Sequence, residues 1–142
     1  MPQLYGGCHC GNVAVQVQLS RASRSYAPRA CDCTFCRKHG AAYLSDPDGS
    51  LVLRVRQMGQ LGSYRQGSNA AEMLVCRTCG VLLGALYRDD DATYGVVNSR
   101  VLDAAEGFGA EQPVSPQTLS PEAKQKRWRQ LWFARVTLAE AD

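Results

Sequence analysis

The chain has no run of 18 apolar residues, so no segment of its 142 residues is long enough to cross a bilayer as a helix. Its opening, MPQLYGGCHCG, lacks a basic stretch followed by an apolar one, so no secretory signal is expected and a cytoplasmic location is. Excess charge of either sign is missing too: 16 Lys and Arg stand against 13 Asp and Glu, for a net +3. The dense basic stripes that grip a phosphate backbone are therefore absent, which argues against a nucleic-acid partner. There is no internal repeat and no composition break that would mark a second domain. Helical periodicity is absent over most of the length.

Period-two alternation dominates instead. VAVQVQL places Val13, Val15, Val17 and Leu19 on one face, and LVLRVR does the same with Leu51, Leu53 and Val55. EMLVC, VLLGALY and TYGVVN are further apolar runs of strand length, separated by turn signals at SDPDGS, RQGSN and RDDDA. The segment 104–119, with its Gly and Pro, reads as a loop. SPEAKQKRWRQLWFA then reads as a helix with Ser120 as N-cap and Pro121 at its first position, and ARVTL as a final strand. Trp128, Leu131 and Trp132 share one helical face, a pattern that usually means core packing. One domain over 1–142 is expected, with its motifs in 5–103 and a C-terminal helix and strand in 120–138.

What the chain has in quantity is cysteine: seven, an odd number, in three groups. In a reducing compartment such clusters mean metal or catalysis more often than disulfides. CRTCG at 76–80 is a zinc-knuckle signature, with Gly80 permitting the tight turn. Cys8 and Cys10 of CHCG lie at i and i+2, so both can face one ion while His9 points away. Pairing them with Cys76 and Cys79 closes a four-thiolate site that contributes folding energy directly.

Cys31, Cys33 and Cys36 of CDCTFC remain, and three protein ligands with one exchangeable position is the pattern of a catalytic zinc. Arg37, Lys38 and His39 follow at once, able to offset the charge of three thiolates and to attract an anionic substrate. Other readings stay open. The trio could carry a structural zinc completed by His39 or Asp32, could act as redox thiols, or could exchange partners with the other pairs.

GGCHCGNVAVQV, CDCTFCRKHGAAY and LVCRTCG, in that order, are similar to the glutathione-dependent formaldehyde-activating enzyme family, which also includes centromere protein V. The chain departs from that pattern at Asp32, where relatives often have His, and at Val75, where an aromatic is usual. The resemblance implies a mainly β, tent-like fold of several small antiparallel sheets with two zinc positions. One is structural on Cys8, Cys10, Cys76 and Cys79, and one is catalytic on Cys31, Cys33 and Cys36. It implies a carbon–sulfur lyase of the S-(hydroxymethyl)glutathione synthase type, with glutathione and a small aldehyde, formaldehyde, as partners; a homo-oligomer is compatible with it. Arg37, Lys38 and His39 are the expected substrate-binding residues. Two alternatives use the same residues: a non-catalytic thiol-binding zinc module, and an interaction protein working through the basic, tryptophan-bearing AKQKRWRQLWF.

Overall fold

A computed structural model describes residues 2–103 and 107–141. In chain order the elements are β1 (Gln3–Gly7), β2 (Val13–Gln18), β3 (Arg29–Cys31), α1 (Thr34–His39), β4 (Tyr43–Leu44), β5 (Ser50–Val55) and β6 (Leu61–Tyr64). They continue with β7 (Ala71–Cys76), β8 (Leu82–Asp89), β9 (Ala92–Asn98), β10 (Gln112–Val114), α2 (Pro121–Leu131) and β11 (Val136–Glu140).

The strands form two sheets, in the orders β1-β2-β5-β11 and β10-β3-β4-β9-β8-β7-β6. Both are mixed rather than wholly antiparallel, because β11 runs parallel to β5 and β10 parallel to β3. These two strands come from the last third of the chain and return to sheet edges built long before. The segment 104–119 thus contains a strand; its residues 104–106 lie outside the described part.

The alternation in β2 and β5 does what its period requires. Val13, Val15, Val17, Leu51, Leu53 and Val55 are buried, while Ala14 and Arg54 face solvent. They pack across to Leu74, Leu83, Leu86 and Val97 of the larger sheet.

The central strands of that larger sheet are covered on both faces, so they read as unbroken apolar runs. In β8, Leu83 and Leu86 face the smaller sheet, whereas Leu82, Ala85 and Tyr87 join a second core with Trp128 of α2 and Trp132 just after it. Met73 and Val96 belong to that second core as well. One sheet therefore has a sandwich on one side and the two helices on the other.

Close backbone contacts tie the layers. Gly6 makes an isolated bridge to Leu102, and a Cβ on it would collide with the Val101 carbonyl oxygen, so no larger residue fits. After α2, fully buried Phe133 exchanges backbone hydrogen bonds with Gly95 at 3.0 and 2.9 Å, which turns the chain into β11. The SDPDGS turn is fixed by buried Asp46. One of its oxygens accepts from the Tyr26 hydroxyl at 2.5 Å and from the Ser20 N–H and hydroxyl at 2.8 and 2.7 Å, and the other accepts from the Asp48 N–H at 2.9 Å.

Candidate metal centres

The four-cysteine cluster joins the two sheets. Cys8 and Cys10 sit in the turn between β1 and β2, Cys76 ends β7, and Cys79 lies in the knuckle leading to β8. The turn is closed by Cys8 N–H to Val13 O at 3.0 Å, and Val13 returns its own N–H to the Cys8 sulfur at 3.3 Å. The knuckle is closed by Gly80 N–H to Cys76 O at 2.8 Å, with Gly80 at φ 82°, a left-handed conformation that glycine adopts freely. All four ligand atoms lie within 4.8 Å of one another, with Cys8–Cys10 at 3.7 Å and Cys10–Cys76 at 3.6 Å. A tetrahedron with Zn–S bonds of about 2.3 Å has edges of about 3.8 Å, so this donor set fits zinc. His9 is exposed and points away.

The three-cysteine cluster lies on the opposite face of the larger sheet. Cys31 ends β3, Cys33 caps α1 by accepting the Cys36 N–H at 3.4 Å, and buried Cys36 lies one turn along that helix. Their sulfurs also lie within 4.8 Å of one another. The Tyr43 hydroxyl stands 3.1 Å from the Cys36 sulfur. Burial first, and the adjacent Cys36 next, push the Tyr43 phenol up, so it keeps its proton and shares a hydrogen bond with that sulfur. Within the trio, a hydrogen bond from Cys36 draws the Cys31 thiol down to about 6, while the same bond and burial push Cys36 up. Both clusters are capable of binding a metal, and all seven thiols are free.

The trio opens on a cavity. The space is about 280 Å³, with Cys31, Cys33 and Cys36 in one wall. Arg29 of β3 and Lys124 and Arg127 of α2 line it, as do Trp128 and Trp132. Arg29 is half-buried and donates to the Ser45 hydroxyl at 2.6 Å. Burial, and then the charge of Arg127, bring its guanidinium down to about 10, still cationic at neutral pH. Among the described residues none of these three cations forms an ion pair.

The cations named from the sequence are elsewhere. Arg37, Lys38 and His39 occupy the last turn of α1, all exposed, and none lines the cavity. The His39 ring packs on Phe35 at 4.8 Å rather than beside the sulfurs. Asp32 holds Ser115 and Gln117 through hydrogen bonds and is not a fourth member of the cluster. A signal for Arg29 was present in the sequence: it stands two residues before Cys31 on a strand, and residues at i and i+2 share a face.

Comparison with known proteins decides the family. A model of the glutathione-dependent formaldehyde-activating enzymes matches residues 3–124. The chain belongs to that family. A solved Rhodobacter sphaeroides protein has 31% sequence identity to it and a TM-score of 0.51, over 75% of this chain and 99% of that one. No curated protein is similar enough to match. The seven cysteines all fall inside the family match, whereas Arg127, Trp128 and Trp132 lie after its end at residue 124. In this family member the cavity is thus completed by residues outside the shared pattern.

Proposed function

We propose that the chain is a zinc-dependent carbon–sulfur lyase that makes or breaks the bond between a small thiol and an aldehyde. S-hydroxymethylglutathione is the adduct that the family name supplies. One observation carries the reading: the cluster with three sulfurs, one short of a closed site, opens on a cationic cavity. In this reading Cys8, Cys10, Cys76 and Cys79 hold a structural zinc, and Cys31, Cys33 and Cys36 hold a second with one position left for a ligand.

When bound at the trio, the metal supplies a Lewis acid that keeps a visiting thiol deprotonated near neutral pH. The chain's own residues do the rest. Arg127 and Lys124 receive the carboxylate of the thiol, as charge-assisted donors at the cavity wall. The thiolate sulfur adds to the aldehyde carbon, forming one C–S bond. The C=O π pair moves to oxygen, which takes a proton from water to give the hydroxyl. Arg29, a cation beside Cys31 and turned to the cavity, stabilises the negative oxygen before that proton arrives. The reverse direction removes the same proton and cleaves the same bond. Tyr43 holds the Cys36 sulfur in place.

The test is a metal count and a rate. Replacing Cys31, Cys33 and Cys36 together by alanine should lower bound zinc from about two per chain to about one, with the fold retained. Cys33→Ala alone should abolish catalysed thiol–aldehyde exchange, followed by NMR line broadening. Loss of all metal together with the fold would make the trio structural and overturn the reading.

A further inference from the structure

The rest of the cavity lining asks for more than a one-carbon aldehyde. Trp128 and Trp132 stack with centroids 4.9 Å apart, and Tyr87 supports Trp128 at 5.2 Å. Together with Met73, Ala85 and Val96 they give the cavity an apolar side, while Arg29, Lys124 and Arg127 give it a cationic one. Among the described residues no Asp or Glu lines it. A ligand that fills this space therefore finds three cations for an anion and an apolar surface for its body, whereas beyond the sulfurs an ammonium group meets only neutral acceptors such as Gln66 and Gln117.

We propose that the cavity selects a carboxylate ligand with an apolar body of aryl size, held between the Trp128–Trp132 wall and the guanidinium groups of Arg29 and Arg127. It rests on the function proposed above only for the sulfur chemistry: there, this ligand is the thiol partner of the adduct, in place of zwitterionic glutathione. The selecting residues are this chain's own. Arg127 and Trp128 lie three and four residues after Lys124 on α2, so one stripe of the helix carries the cations and the first indole, and Trp132 follows at its C-cap. Lys124 stands one turn before Trp128 on the same face, at the cavity edge beside the 66–68 turn. Stacking on a paired indole favours a flat ring, and a half-buried guanidinium without a carboxylate of its own favours a bidentate acid.

The chain's two tryptophans are these two, so their emission reports directly on the cavity. The zinc-loaded full chain is titrated with 3-phenylpropanoate, its neutral amide and S-methylglutathione. Saturable quenching is expected with 3-phenylpropanoate, about tenfold tighter than with either other probe. Arg127→Gln should bring the acid to the affinity of the amide and leave the amide unchanged, whereas Trp128→Ala should weaken both by about tenfold. Wild-type binding of S-methylglutathione as tightly as the acid, or equal binding of acid and amide, overturns the proposal without any variant. Failure here with Cys33-dependent glutathione turnover intact leaves the lyase reading standing. Selective acid binding in a chain that turns over no thiol does the reverse.

Discussion

At the scale of single residues, two buried groups hold the protein to a particular chemistry. Tyr43 reaches the trio from β4 and hydrogen-bonds Cys36, so its hydroxyl orients one sulfur of the candidate centre. Tyr43→Phe should weaken zinc at the trio by roughly tenfold, read by competition with a chromophoric chelator, and leave the four-cysteine cluster unaffected. Asp46 is the second. Burial pushes its carboxyl up, but the hydrogen bonds from Tyr26, Ser20 and Asp48 outweigh this and hold it at about 2. A carboxyl depressed in the folded state stabilises the fold above its unfolded value, near 3.8, and loses that contribution as pH falls towards 2. Asp46 should therefore contribute about 2 kcal/mol at neutral pH. Urea unfolding of Asp46→Asn should show lower stability at pH 6 and a flatter dependence between pH 4 and about 2.

At the scale of elements, the part that shapes the cavity is α2. Its start is set by Ser120, whose hydroxyl accepts the Ala123 N–H at 3.1 Å, with Pro121 following. Ser120→Ala should cost about 1 kcal/mol, measured by denaturant midpoint, with the metal content unchanged. Much of this helix was legible in advance: cap, proline and a face of Trp128, Leu131 and Trp132 all stand in the sequence. The alternation of β2 and β5 was equally plain, because a half-buried strand must alternate. The parallel docking of β10 and β11 was not legible, since short strands carry no mark of the edge they will join. Nor were Lys124 and Arg127 legible as partners of the trio, because they lie about ninety residues from it and only the docking of α2 brings them near. Arg37, Lys38 and His39 stand away from the cavity for the converse reason. They are adjacent to the cysteines in sequence, but one helical turn rotates them to the outside while Cys36 points in.

At the scale of the whole molecule, the two sheets are held by a shared core, by close backbone bridges and by the four-cysteine cluster. Gly6→Ala should cost a few kcal/mol, since its methyl has no space against the Val101 carbonyl and the bridge must open. Cys79→Ser, which removes one ligand of that cluster, should lower the unfolding temperature by roughly ten degrees or more, in a thermal scan of the zinc-loaded chain. The same loss in the trio should leave the scan little changed, because its ligands join neighbouring short elements on the helix side rather than one sheet to the other.

The two clusters also differ in how far apart their ligands lie along the chain. The trio spans residues 31 to 36, whereas Cys10 and Cys76 are separated by 66 positions. Gathering the trio closes only a short loop, so an unfolded polypeptide can already capture an ion there; gathering the other four requires the sheets to have met. In a refolding mixture starved of zinc, the first ion taken up should thus go to the cavity side of the molecule, ahead of the cluster that fastens one sheet to the other.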